Sequence, residues 1–164
     1  MLIPKYTMAG YSVMMKEIVD QINNDEITHI FLQAGVGGLA GAMAACFRAA
    51  WGDAPMITVV EPAFAPALTN SIIEGKFVST SGPVSDMGRL DCKEASLIAL
   101  AGLSRDANSF VTLTEKECLD AIKVLPKYNL DTSSSGGAGI AAMTMSDLPS
   151  DARVLCILSE GPDE

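Results

Sequence analysis

Residues Thr28 to Ala50 constrain the fold more than any other stretch of this chain. A short apolar run, His29-Ile30-Phe31-Leu32-Gln33, enters Ala34-Gly35-Val36-Gly37-Gly38, and Leu39 to Phe47 follows, rich in small helix formers. The order is strand, glycine turn, helix. Glycine has no Cβ and tolerates φ > 0, so such a turn brings bare backbone close to a ligand. The helix behind it points unpaired N–H groups and the positive end of its dipole at the turn. Phosphate is the usual occupant of such a place. A turn that only packs a helix closely on a sheet uses the same small residues, so this motif needs support from elsewhere.

Charge decides how an anion would be held. The 164 residues carry 11 Lys and Arg against 20 Asp and Glu, a formal net charge of -9. That balance disfavours nucleic acid and anionic membrane surfaces as partners, and leaves backbone amides rather than a basic patch to grip an anion. The length suits one domain with a real core, and 49% hydrophobic residues in strand-sized and helix-sized blocks suit an α/β protein. Cys46, Cys92, Cys118 and Cys156 are dispersed, without the paired spacing of a zinc site, and read as reduced thiols. No metal site is expected. Met1 to Lys5 lacks the apolar region of a signal peptide, which points to the cytoplasm. Ile30 to Trp51 is poorly charged and holds Gly37-x-x-x-Gly41, but its glycines and Arg48 suit a helix packed on a sheet better than a membrane span.

Periodicity predicts a helix over Ser12–Asn23, with Met14, Ile18 and Ile22 on one face, and a strand over Ile30–Gln33. The helix after the glycine turn is expected to run to about Ala50. Met56–Val60 reads as a strand covered on both faces, ended by Glu61-Pro62. Ala65–Glu74 is expected as a short helix closed by Gly75, and Lys76–Asp91 as a long irregular loop. Helical spacing returns over Glu94–Leu103, followed by a strand over Phe110–Leu113. Thr114-Glu115-Lys116-Glu117 is a capping box that starts a helix stopped by Pro126. Ser133 to Gly137 reads as a second glycine/serine turn before a helix over Ala138–Met145, and Val154–Leu158 as a last strand delivering Ser159-Glu160-Gly161. Strands alternating with helices imply a three-layer α-β-α fold on a mainly parallel sheet. Ligands of such sheets lie beyond the carboxyl ends of the strands, where Gly35 to Gly38, Glu61 and Ser159 fall.

Gly35-Val36-Gly37-Gly38-Leu39-Ala40 also satisfies the dinucleotide fingerprint G-x-G-x-x-A, with Glu61 at the end of the next strand as a ribose ligand. A non-catalytic nucleotide-binding module using Gly35 to Gly38 and Glu61 is therefore one reading. A second comes from an ordered series of matches. Gly10-Tyr11-Ser12 ahead of a helix with Glu17, Gln33-Ala34-Gly35-Val36-Gly37, Val59-Val60-Glu61-Pro62, Gly88-Arg89-Leu90-Asp91-Cys92, Ser135-Gly136-Gly137-Ala138-Gly139 and Leu158-Ser159-Glu160-Gly161 run almost the whole chain. Together they resemble the C-terminal part of pyridoxal-phosphate enzymes of fold type II, the tryptophan-synthase-like class. Within it they are most similar to the diaminopropionate ammonia-lyases, then to the threonine and serine dehydratases.

The resemblance implies that Gly35, Val36, Gly37, Gly38 and Leu39 bind the phosphate of pyridoxal 5'-phosphate through their amides. It places the Ser159 hydroxyl beside the pyridine nitrogen, and Ser135 and Gly136 near the ring. Dehydratases carry Glu-Pro before that turn, where Ser133-Ser134 stand here; Arg89 and Lys93 around Cys92 also depart from the lyase pattern. It further implies an α,β-elimination of ammonia from 2,3-diaminopropionate to give pyruvate, with a threonine/serine dehydratase-like reaction as the alternative. The partner expected is a small amino-acid substrate, in a homo-oligomer, dimeric in the family.

The chemistry of that family needs a lysine that forms a Schiff base with the cofactor, placed well upstream of the glycine loop. Lys5 sits in an extended lead-in and Lys16 on an amphipathic helix; Lys76, Lys93, Lys116, Lys123 and Lys127 look like surface residues. Residues 1–164 are thus expected to form a single C-terminal portion of a cofactor-binding catalytic domain, without the lysine-bearing portion and without lyase activity alone. Exposed apolar surface and unpaired strand edges would favour association. Other residues carry two readings each. His29 is a base or a strand-edge residue, and Cys92 a reactive or a buried thiol. Asp86 and Asp91 face a site or solvent. Ser133 to Ser135 touch a ligand or cap a helix.

Overall fold

Four strands, β1 (His29–Gln33), β2 (Met56–Pro62), β3 (Ser109–Leu113) and β4 (Val154–Cys156), all run parallel in the order β3-β2-β1-β4. The computed structural model describes residues 3–22 and 27–162. Helices α1 (Ile3–Gln21), α2 (Gly38–Trp51), α3 (Ala67–Glu74), α4 (Leu97–Asp106), α5 (Glu115–Ile122) and α6 (Ser134–Met145) cover both faces of the sheet. This is the expected three-layer α/β fold. Strand alternation builds two cores. Ile30, Leu32, Ile57 and Val59 join Met43 and Phe47 of α2 on one face, while Phe31 and Val60 join Cys118 of α5 and Ala138 and Ala141 of α6 on the other. Burial of the sheet on both sides explains why β1 and β2 read as continuous apolar runs.

The strand order positions the functional end of the molecule. The chain passes from β1 to β2 and β3 on one side, then returns to place β4 against the opposite edge of β1. The crevice between β1 and β4 is therefore a topological switch point, and both strands deliver their carboxyl ends there. Leaving β1, the chain makes the glycine turn; leaving β4, it presents Leu158-Ser159-Glu160.

Several elements differ from expectation. The first helix starts at Ile3, not Ser12, so Gly10-Tyr11-Ser12 lies inside it rather than ahead of it, and Lys5 lies in a helix rather than an extended lead-in. Gly10 has open space around it, and Met15 anchors the helix in the core, so tertiary packing overrides the glycine's weak helix preference. The expected end at Asn23 lies outside the described residues. Helix α4 begins at Leu97 instead of Glu94, because Glu94 and Lys93 bind Ser79 and Thr80 across the preceding loop. The Ser134-Ser135-Gly136-Gly137 run is the first turn of α6, not a loop before it; Ser133 is its N-cap and accepts the Gly136 amide at 3.0 Å. Strand β4 stops at Cys156, two residues short.

Candidate functional site

The turn after β1 is built to leave amides open. Gly37 adopts φ 90° and ψ 8° as the N-cap of α2, with no side chain capping the helix. The first backbone bond of α2 is Gly41 N–H to Gly37 O at 2.8 Å. The amides of Gly37, Gly38, Leu39 and Ala40 therefore have no partner within the helix, at the positive end of its dipole. The turn is pressed from beneath. A Cβ on Gly37 would stand 2.9 Å from Ala99 Cβ and 3.0 Å from Leu68 Cδ1, and one on Gly35 would stand 2.9 Å from the Arg89 carbonyl oxygen. A Cβ on Gly38 would meet nothing within 4 Å. The cradle is closed below and open above.

Above it lies a cleft of about 480 Å³ lined by Gly35 to Leu39, by Tyr11 and Met14 of α1, by Arg89, Leu90 and Cys92 of the long loop, and by Leu158 to Glu160 beyond β4. Arg89 is its one basic side chain among the described residues, and it pairs with Glu160 across the mouth. Glu160 also accepts from the Ser133 hydroxyl, and its carbonyl accepts from Thr132 Oγ1 at 2.8 Å. At the floor, Gln33 is 1% exposed and its Nε2 lies 3.1 Å from Ser159 Oγ. The Cys92 thiol stands against Gly35 and receives the Val36 amide. Burial pushes that thiol above its ordinary pKa, more than the Val36 amide and Lys93 lower it.

Of the residues singled out from sequence, Gly35, Val36, Gly37, Gly38, Leu39 and Ser159 come together on this cleft. Ser135, Gly136 and Glu61 do not. The Ser135 hydroxyl accepts the Arg89 amide at 3.1 Å and so holds the long loop, while the Gly136 carbonyl accepts from Gln33. Glu61 is fully buried, with both carboxylate oxygens taken by the amides of Leu68 and Thr69 and the Thr69 hydroxyl. It is a helix cap, and none of its oxygens is free for a ribose. Asp91 binds Lys93, and Asp86 stays exposed with its amide on Glu115. Lys93 is not a free surface residue: its Nζ is held by the Phe64 and Pro83 carbonyls, each at 2.8 Å, and by Asp91. His29 bonds Thr28 at the start of β1, the end of the strand opposite the cleft. Tyr11, Arg89, Glu160 and Gln33 carried no role in the sequence reading. All four stand within the matched segments, and Gln33 is besides a lone polar residue closing an apolar strand.

A cradle of helix-terminal amides with a hydroxyl and a polar floor beside it suits a phosphorylated aromatic group, and the chain belongs to the family described as pyridoxal-phosphate dependent enzyme, whose sequence pattern matches residues 3–160. Pyridoxal phosphate is the cofactor, and the open amides above Gly37 and the crowding below it fit a phosphate. Among individual proteins, the chain is similar to diaminopropionate ammonia-lyase of Escherichia coli K12, 27% identical over 97% of this chain and 46% of the relative. It is similar also to that of Salmonella typhimurium LT2, 30% identical over 86% of this chain and 38% of the relative. The chain thus spans less than half the length of these curated relatives. A crystal structure of the E. coli lyase holding a PLP-bound reaction intermediate superposes with a TM-score of 0.87, at 25% identity over 98% of this chain and 46% of that one. Maize serine racemase gives a TM-score of 0.83 at 22% identity, over 97% of this chain and 49% of that one.

Proposed function

We propose that this chain supplies the phosphate cradle and ring-nitrogen contact of a PLP-dependent ammonia-lyase acting on 2,3-diaminopropionate. One observation supports this above the rest: the open amides of α2 and the Ser159 hydroxyl face one cleft at the adjacent carboxyl ends of β1 and β4. The overall reaction takes one diaminopropionate and one water to one pyruvate and two ammonia. When bound, pyridoxal phosphate supplies the electron sink for the carbon that loses its proton.

The residues of the chain bind and orient. Amides of Gly37, Gly38 and Leu39 hold the phosphate with the help of the helix dipole. Ser159 would meet the ring nitrogen as a neutral hydroxyl, which, unlike a carboxylate, would not enforce protonation there. Leu90 and Leu158 give the cleft apolar walls. Arg89, the cleft's basic side chain, balances the charge of Glu160 at the mouth. No described lysine side chain lines the cleft; on this reading the lysine that would exchange protons with substrate is supplied by another part of the enzyme, and the chain alone binds cofactor without turnover.

Titration of the purified chain with pyridoxal 5'-phosphate and with dephosphorylated pyridoxal tests this. The phosphorylated form is expected to bind more tightly by at least about tenfold, the yield of a few charge-assisted bonds. NAD is expected not to compete. No saturable binding of pyridoxal phosphate would refute the reading. Incubation with diaminopropionate should yield no pyruvate above background; pyruvate would refute inactivity of the chain alone. Supplying the lysine-bearing half of the E. coli lyase in trans should restore pyruvate from diaminopropionate. Restored 2-oxobutyrate from threonine instead would favour the dehydratase reaction.

A further inference from the structure

Gln33 closes β1 as a buried polar residue among apolar neighbours. One terminal atom of its amide lies 2.8 Å from the Ile157 carbonyl, 3.1 Å from the Gly136 carbonyl and 3.1 Å from Ser159 Oγ. Carbonyls only accept, so the atom between two of them is the NH₂ nitrogen, and the orientation of the amide is fixed by chemistry. The other atom, Oε1, is buried without a partner, close to where a Cβ on Gly139 would stand. The reverse orientation would set an oxygen against two carbonyl oxygens, so the orphaned acceptor is kept.

This settles the direction of the third bond. An amide nitrogen has no lone pair to offer, so Ser159 cannot donate to Gln33; the two N–H groups are shared among two carbonyls and Ser159 Oγ, which can meet them only as an acceptor. Its proton is then free to point into the cleft that Ser159 lines. A hydroxyl that donates to a basic ring nitrogen favours the neutral nitrogen; one that accepts favours the protonated form.

We propose that Gln33 is a positioning residue that sets Ser159 as a donor and so holds the cofactor's ring nitrogen unprotonated, an inference that rests on the cofactor reading above. Gln33 also ties α6, the end of β4 and the ring contact to the strand that carries the phosphate cradle. It thereby fixes the hydroxyl relative to the cradle.

The test uses the purified chain and pyridoxamine 5'-phosphate labelled with ¹⁵N in the ring, its nitrogen shift followed by NMR as pH is varied. In the wild type, protonation of the bound ring is expected to be at least about tenfold weaker than in the free ligand, one pH unit. Gln33→Glu keeps the shape but offers Ser159 an acceptor, so the hydroxyl turns away and the ring should regain about that factor. Ser159→Ala should do the same, the double variant no more, and Ser159→Thr should keep the wild-type value. Affinity for inorganic phosphate should change less than about threefold throughout, because no cradle amide is altered. Should Gln33→Glu fail to fold, the wild type still decides: ligand binding should move the Gln33 side-chain NH₂ resonances, and should leave them still in Ser159→Ala. A bound ring whose protonation ignores Gln33→Glu while responding to Ser159→Ala overturns this inference alone, as do unmoved Gln33 resonances in the wild type. Failure to bind either pyridoxamine phosphate or inorganic phosphate overturns the cofactor role and this inference with it.

Discussion

The carboxylate of Glu61 accepts the backbone amide of Leu68 at 2.8 Å, seven residues ahead in the chain, and so caps α3 from the end of β2. Thr69 completes the cap with its amide and hydroxyl, each at 2.7 Å. Burial penalises the charge more than these bonds stabilise it, and the Glu61 pKa lies above the ordinary value.

A pH dependence follows. The folded pKa of Glu61 is raised above its unfolded value near 4.5, so the folded chain binds more protons between the two values. That share of stability is complete below the unfolded pKa and is lost as pH rises through the folded one. Glu61→Gln removes the slope and, in either orientation, sets an NH₂ group against a backbone amide, that of Leu68 or of Thr69, donor against donor, at a cost of about 1–3 kcal/mol. Urea unfolding should show the wild type's advantage over Glu61→Gln shrinking as pH rises through the folded pKa, then levelling. An advantage that grows over that range would contradict the assignment.

Neighbouring glycines of the cradle should separate folding from binding. Gly37→Ala forces a side chain into the left-handed region and against Ala99 and Leu68, and should cost about 2–4 kcal/mol. Gly38→Ala meets nothing and sits in the first turn of α2, so thermal melts should place it within about 1 kcal/mol of wild type. Its methyl group nonetheless stands at the open side of the cradle, and pyridoxal phosphate titration should show weaker binding. Equal loss of stability in both variants would show that the cradle is crowded on every side.

What the sequence disclosed and what it hid follow from the range of the forces involved. Strands β1 and β2 and the Thr114/Glu117 capping box were legible because their signals are local: apolar runs, and a cap within four residues that the structure reproduces. The cleft's amides and Ser159 were legible because parallel strands bring their carboxyl ends together. The cap made by Glu61 was not legible, since an acidic residue ending a strand looks the same whether it serves a ligand or the next helix. The first turn of α6 was misread as a loop because glycine there answers to tertiary contacts. A Cβ on Gly137 would lie 2.6 Å from Ile122, and one on Gly139 3.1 Å from the Phe31 carbonyl oxygen, neither visible in a local window. The role of Gln33 is hidden from a local window for the same reason, since its partners lie more than 100 residues away.

Arg48 should matter for stability and not for the cofactor. Its guanidinium donates to the carbonyls of Asp106, Gly52 and Pro55 at 2.9–3.0 Å, and to Asn108 Oδ1 at 2.6 Å. Asn108 in turn receives the Ile57 amide, so one side chain joins α2, α4 and the start of β2. The ion pair with the exposed Asp53 adds little. A lysine offers a point charge where a planar fork serves four acceptors, and Arg48→Lys should lose about 1–3 kcal/mol in chemical denaturation. Pyridoxal phosphate affinity should stay at the wild-type value, because the network lies at the far end of α2. A parallel loss of affinity would show that the two ends of α2 are coupled.

The four thiols offer a map of the cleft that needs no catalysis. Burial pushes Cys118 up to about 11 and Cys156 up to about 12, and raises Cys46 and Cys92 as well, so all four are protonated at neutral pH and alkylate slowly. Cys118 lies inside the sheet-helix core and should label last, with the partly buried Cys156, packed against that core, ahead of it. Cys92 differs in lining the cleft with its sulfur against the glycine turn. Saturating pyridoxamine 5'-phosphate should therefore slow iodoacetamide at Cys92 and leave Cys46, on the outer part of α2, unchanged, as read by mass spectrometry of peptides. The converse should also hold: Cys92 lines the cleft beside the glycine turn, so a carbamidomethyl group there takes up cleft space and the alkylated chain should lose affinity for the ligand. Protection of Cys46 and Cys92 to the same degree would indicate a general tightening of the fold, and would remove Cys92 from the edge of the phosphate site.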